Sequence, residues 1–83
     1  MKLPRAEWPP HIVVITWEDA HMSHDDSDVD SVSVTCTRRT AGFLVARKER
    51  HVVVAQDIGE DAGQFRNYMA IPIRMITECK ELR

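Results

Sequence analysis

The chain has 83 residues, of which 43% are hydrophobic and 29% are charged, so we expect one small globular domain rather than a disordered segment. Eleven Lys and Arg against thirteen Asp and Glu give a formal charge of −2, which argues against attraction to nucleic acid or anionic membranes through bulk charge. No apolar run approaches the ~20 residues of a membrane span, and the first ten residues lack the apolar core of a signal peptide. With two cysteines, the composition favours a cytoplasmic protein with reduced thiols.

The first predicted element is a strand, His11–Trp17, which follows an N-terminal arm of residues 1–10. Its β-branched residues are typical of strands, and Pro10 marks the point where it begins. Neither face of this strand is strongly polar, so we expect it to be buried on both sides or to form an interface on one.

An acidic loop is predicted at residues 18–30. Asp and Glu occupy six of its thirteen positions and Lys and Arg occupy none, so the segment is unsuited to a core element and is expected at the surface. Its carboxylates are Glu18, Asp19, Asp25, Asp26, Asp28 and Asp30.

Further extended segments follow the loop, at residues 31–37, 43–46, 51–56 and 65–71. Gly42 is expected to allow a bend between the first two segments. Residues 72–75 suit one turn of 3-10 helix, and residues 76–82 a short last strand. Five or six short strands can cover one core by curling the sheet, which predicts an all-β fold, a small antiparallel barrel of SH3-like or Sm-like type spanning residues 1–83.

The predicted core consists of the apolar residues on the inward faces of these strands. We expect Trp17 at its rim. The core residues are Val13, Ile15, Val34, Leu44, Val52, Val54, Met69, Ile71 and Ile76.

Four segments carry a resemblance to a known group of proteins: Val14–Ala20, Gly42–Val45, His51–Gln56 and Asn67–Pro72. They resemble the W-x-D-A, G-x-L-V, VVxA and IP motifs of small phage and prophage proteins. In that group an aromatic residue and often a glycine stand where this chain has His21–His24. The resemblance implies a phage-derived barrel in the host cytoplasm, and it implies no catalytic residues.

The residues that could carry catalysis or bind a metal form weak patterns. His21 and His24, followed by carboxylates, are weak candidates for metal ligands, but a structural zinc site needs four positioned ligands. Cys36 alternates with valines in a predicted strand, and Cys79 lies between Glu and Lys, so neither shows the neighbouring base that activates a nucleophilic thiol. We therefore expect no metal, no cofactor and no enzymatic activity.

Protein binding is the predicted function. Clustered carboxylates favour fast association with a basic partner surface, and apolar strand faces add contact area for self-association. The sequence thus predicts a viral, non-enzymatic interaction protein that binds a host protein or defence complex through the acidic loop and the barrel edge, and inhibition of that target is one outcome of such binding. The residues predicted at this interface are Trp8, Trp17, Glu18, Asp19, Asp25, Asp26, Asp28 and Asp30.

Two alternatives stay open at this point. One is an Sm-like oligomer that binds RNA or single-stranded DNA, with Phe65 or Tyr68 stacking on bases. The other is a minor virion or assembly component. The basic residues predicted for the nucleic-acid alternative are Arg38, Arg39, Arg47, Lys48 and Arg50.

Overall fold

The computed structural model describes residues 2–20 and 35–82 and places their strands in one antiparallel sheet. The strands are β1 (Ile12–Ala20), β2 (Thr35–Arg47), β3 (His51–Ile58), β4 (Phe65–Pro72) and β5 (Ile76–Glu81), with a 3-10 helix (Ile73–Met75) before β5. Their order across the sheet is β4-β3-β2-β1-β5, so β4 and β5 are its two edges. The prediction of an all-β fold with a 3-10 turn before the last strand is confirmed. No helix of the described residues is long and apolar enough to cross a bilayer.

β2 is one continuous strand from Thr35 onwards, whereas the sequence predicted two segments separated by a bend at Gly42. It pairs with β1 along its N-terminal part and with β3 along its C-terminal part. A Cβ atom at Gly42 would lie 2.6 Å from the carbonyl oxygen of Ala55 and 2.8 Å from Cγ1 of Val54. The predicted bend is therefore wrong, because this glycine permits the close approach of β3 to β2 rather than a change of direction.

β1 extends to Ala20, which corrects the predicted start of the acidic loop at residue 18. Glu18 and Asp19 pair with β2, and each side chain has a partner on that strand. The hydroxyl of Thr37 donates to Oε1 of Glu18 at 3.0 Å, and Nε of Arg38 donates to Oδ2 of Asp19 at 3.0 Å. These cross-strand partners let two carboxylates continue a strand that local composition alone would end.

The hydrophobic core is formed by side chains from the N-terminal arm and all five strands. The prediction is confirmed for Val13, Ile15, Leu44, Val52, Val54, Ile71 and Ile76. Val34 lies outside the described residues. Leu3 joins the core from the arm, a contact that the sequence did not predict.

Two core predictions are wrong. Met69 is 44% exposed on edge strand β4, where no further strand of the described residues adjoins it, whereas Ile71 on the same face of this strand, beside the 3-10 helix, is fully buried. Trp17 is 6% exposed and packs within the core cluster instead of at its rim. Its indole N–H donates to the hydroxyl of Thr40 at 2.9 Å, which satisfies the polar atom that burial would otherwise leave without a partner.

Both ends of the described chain are held against the sheet. Nη1 of Arg47 donates to the carbonyl of Leu3 at 3.0 Å and fixes the N-terminal arm. His11 lies between the carboxylates of Glu7 and Glu81, with Nε2 2.7 Å from Glu7 and Nδ1 in contact with Glu81. The hydrogen bond to Glu7 is the main cause that raises the pKa of His11, and Glu81 adds to the effect, while desolvation opposes it.

Candidate protein-binding surface

The first six residues of β4, from Phe65 to Ala70, are all exposed, although they belong to a hydrogen-bonded strand. β4 pairs with β3 and with no other strand of the described residues. An edge strand presents unpaired N–H and C=O groups, which can pair with an extended segment of another chain. Three large apolar side chains are exposed on this edge, Phe65, Tyr68 and Met69. We call these three residues the β4 surface.

Tyr68 ends a row of residues that crosses four strands on the face opposite the core. The register pairs Ile12 with Phe43, Phe43 with Ala55, and Ala55 with Tyr68. Ala55 is buried but lies outside the core cluster, between the two larger side chains of the row. Tyr68 itself is 64% exposed, so the apolar row continues to the sheet edge and ends there uncovered.

The two rings of the β4 surface are in contact with each other. Residues three apart on a regular strand point to opposite faces, but Asn67 between them has a φ of 56°, in the left-handed region. The side-chain amide Nδ2 of Asn67 donates to Oδ2 of Asp57 at 3.0 Å, which holds this local conformation. The rings of Phe65 and Tyr68 meet edge to face with centroids 5.4 Å apart. An aromatic pair held in this way loses little side-chain entropy on binding, which suits a contact surface.

Met69 connects the β4 surface to the core through polar contacts. The hydroxyl of Thr40 accepts the hydrogen bond of the Trp17 indole and lies 4.0 Å from the sulfur of Met69. The exposed thioether therefore lies next to the polar atoms that cover the buried Trp17 ring. Met is a flexible and polarisable side chain that adapts to the shape of a partner.

The acidic residues and the start of β4 lie towards the same end of the sheet, at different levels. The end of β1, the start of β2, the end of β3 and the start of β4 point in the same direction, but β1 and β2 continue past the last β2–β3 pair, Phe43–Ala55, as far as Ala20 and Thr35. Glu18 and Asp19 are half-buried there and are bonded to β2. The predicted contact residues Asp25, Asp26, Asp28 and Asp30 lie outside the described residues.

The two tryptophans predicted at the interface have different positions. Trp8 is half-buried in the N-terminal arm. Trp17 is buried in the core, so its ring offers little area to a partner. The apolar contact area is found on β4 instead of on the exposed side of β1.

The basic residues of the nucleic-acid alternative do not form one patch. Arg38 and Arg39 lie near the start of β2, whereas Arg47 ends it and is followed by Lys48 and Arg50 in the turn to β3. Arg47 lies nine positions after Arg38 along the extended strand, or ~30 Å away. In addition, Arg38 is paired with Asp19, and Arg47 donates to a carbonyl of the N-terminal arm. One strand of nucleic acid would therefore have to run along the length of β2 to contact both groups.

The described residues contain no group of three or more His, Cys, Asp and Glu side chains placed to hold a metal ion. The weak candidates His21 and His24 lie outside these residues. Cys36 and Cys79 are half-buried free thiols. Burial raises the pKa of the Cys79 thiol, and the charge of Glu81 adds to this shift, which keeps the thiol protonated and poorly nucleophilic.

Sequence reasoning missed the role of β4 as an exposed edge. The strand was predicted, but its apolar residues were assigned to the core or to base stacking. A signal was present, because Phe65, Tyr68 and Met69 do not follow the alternation of a strand with one buried face. No protein-family model, curated protein or solved structure matches the chain, so the resemblance to phage proteins stays a prediction. The fold and this surface define a small antiparallel β protein with an exposed apolar sheet edge, which no other strand of residues 2–20 and 35–82 covers.

Proposed function

We propose that the chain is a non-enzymatic protein-binding module of phage type that acts in the cytoplasm on a host protein. The partner contributes an extended segment that pairs with the free edge of β4 and packs on Phe65, Tyr68 and Met69. The single observation that supports this most strongly is the exposure of these three large side chains on an edge strand.

The part of the predicted acidic loop that follows β1, residues 21–30, contributes the electrostatic part of the proposal. Residues 21–30 contain four Asp and no Lys or Arg, and they follow the end of β1, which points in the same direction as the start of β4. A partner with basic residues beside its extended segment would contact both features together. Electrostatic attraction of this kind raises the association rate and is weakened by salt, while the apolar contacts slow dissociation.

The finer architecture is also part of the proposal. The strand order, the short 3-10 helix before β5 and the core shared by all five strands are consistent with an SH3-like or Sm-like barrel. In such a barrel β4 and β5 are the strands at the opening, which leaves the edge of β4 available to a partner.

The test is capture of a host partner by the full chain and by two variants. The Phe65→Ser, Tyr68→Ser double variant removes the aromatic pair, and Leu82→Ser removes an exposed apolar side chain elsewhere as a matched control. A partner retained by the parent and by Leu82→Ser, and lost by the double variant, is the expected result. Replacing Asp25, Asp26, Asp28 and Asp30 by Asn should slow association and reduce its dependence on salt.

Two results would contradict the proposal. Equal capture by the parent and the double variant would exclude the β4 surface as the binding site. Light scattering that shows a multimer of the chain alone, dissociated by the double variant, would assign this edge to self-association instead of to a host partner.

A further inference from the structure

A cleft of about 690 Å³ lies at the opposite end of the sheet from the start of β4. It lies between the turn that joins β2 to β3 and the 3-10 helix. Its lining consists of Glu49, Arg50, His51, Pro72, Ile73 and Arg74. The two arginines are 24 positions apart in the sequence, and the fold brings them to one cleft.

Backbone contacts fix the two walls of this cleft. The N–H of Ile73 donates to the carbonyl of Arg50 at 2.9 Å, and the register pairs His51 with Pro72. The turn itself is closed by the N–H of Lys48, which donates to the carbonyl of His51 at 2.8 Å. The positions of the two arginines therefore depend on main-chain bonds and not on their own side chains.

The charges in the cleft favour an anion. Two guanidinium groups and one imidazole face one carboxylate, that of Glu49. Among the ion pairs of the described residues, none involves Arg50, Arg74 or Glu49. The side chains of Pro72 and Ile73 are half-buried and supply an apolar wall beside the charged groups.

We propose that this cleft binds a phosphate group of a nucleotide or of single-stranded nucleic acid. Guanidinium groups match the geometry of phosphate oxygens and stay charged at every physiological pH, and a histidine ring N–H adds a further donor. The apolar wall then contacts the uncharged part of the ligand. This site goes beyond the proposed protein-binding function, since none of its lining residues belongs to the β4 surface.

The experiment is an amide NMR titration of the isotopically labelled full chain with three probes: inorganic phosphate, adenosine monophosphate and a short oligothymidylate. Shifts confined to the cleft residues are the expected result. A response to phosphate and the monophosphate indicates a free nucleotide as the source, and a response to oligothymidylate alone indicates nucleic acid. Both results support the proposal.

Charge variants sharpen the test. Arg50→Gln and Arg74→Gln should each weaken the probe that binds by about tenfold or more, because each removes a charge-assisted hydrogen bond. Glu49→Gln should tighten it by about twofold, because it removes a like charge. Arg39→Gln, with the same loss of charge at the other end of β2, is the matched control and should leave binding unchanged. Since the N–H of Ile73 bonds to the backbone of Arg50, these substitutions keep the fold, which the amide spectrum verifies.

For oligothymidylate, each arginine variant should also reduce the slope of log Kd against log salt by about one. The absence of cleft shifts with all three probes would overturn the proposal. So would an equal loss of affinity in Arg39→Gln and Arg74→Gln, because binding would then follow net charge and not the cleft.

Discussion

Leu44, Val54 and Met69 form one row across β2, β3 and β4, and the row passes from the centre of the sheet to its edge. The register pairs Leu44 with Val54 and Val54 with Met69. Their exposed fractions are 0%, 1% and 44%. Three apolar residues in the same register, on the same face, therefore have very different surroundings.

The difference shows that an apolar residue type does not by itself decide burial, and Ile71 shows that strand position does not decide it alone, since this residue is fully buried two positions further along β4, beside the 3-10 helix. Leu44 has a strand on each side and the core above it, whereas Met69 has β3 on one side and no strand of the described residues on the other. Met69 is thus an apolar residue that does not contribute to the core, which is the property expected of a contact surface.

The largest expected effect is the difference in stability loss between substitutions at the two ends of this row, Leu44 and Met69. Leu44→Ala should lower the free energy of unfolding by ~2–5 kcal/mol, because it leaves a cavity in a fully buried site. Met69→Ala should lower it by less than ~1 kcal/mol, because its side chain is already in contact with water. Urea unfolding of both variants measures the contrast, and equal losses would mean that β4 is covered in the folded protein.

The substitution Gly42→Ala tests the close approach of β3 to β2 at this glycine. The new methyl group would meet the carbonyl oxygen of Ala55, a backbone atom that cannot rotate away. We expect a loss of ~1–3 kcal/mol in the free energy of unfolding. Gly63→Ala is an informative comparison, because its Cβ has open space but its φ is 85°, so any loss there arises from strain alone. A neutral Gly42→Ala variant would contradict the close contact.

A smaller effect on the free energy of unfolding is expected from the hydrogen bond between the buried indole of Trp17 and the hydroxyl of Thr40. A double-mutant cycle with Trp17→Phe and Thr40→Val should give a coupling of ~0.5–1.5 kcal/mol, as expected for a part-buried hydrogen bond. Thermal or urea unfolding of the four proteins measures it. Additive losses would show that the indole N–H and the hydroxyl do not interact.

The smallest expected effect is a pH dependence of stability that arises where His11 contacts Glu7 and Glu81. The pKa of His11 is raised in the folded protein by Glu7 first and by Glu81. Its stabilising contribution is therefore complete below the unfolded histidine pKa of about 6.5 and is lost as the pH rises through the raised value. The difference in unfolding free energy between the parent and His11→Asn should shrink across this range, and a constant difference would contradict the assignment.

The strand pattern could be predicted from the sequence because β-branched residues, prolines and a charged turn specify it locally. Seven of the core residues follow directly from alternation, and the 3-10 turn follows from the shortness of the segment that begins at Pro72. The end of β1 could not be predicted, since Glu18 and Asp19 continue the strand through partners on β2 that lie 19 positions away. The role of Gly42 was misjudged for the same reason, because the atoms it approaches belong to β3.

The candidate surfaces depend even more on contacts that are distant in sequence. The local sequence pattern showed that β4 carries apolar residues and that the β2–β3 turn carries positive charge. It could not show that β4 lies at the sheet edge, nor that Arg74 joins Arg50 in one cleft.

By itself, the sequence determined that this chain forms a single small antiparallel β fold, because alternation and turn residues act within a few positions. The tertiary structure decided which apolar residues are core and which are surface. The physical reason is that burial is set by the neighbours that strand order places beside a residue, and strand order arises from the packing of the whole chain.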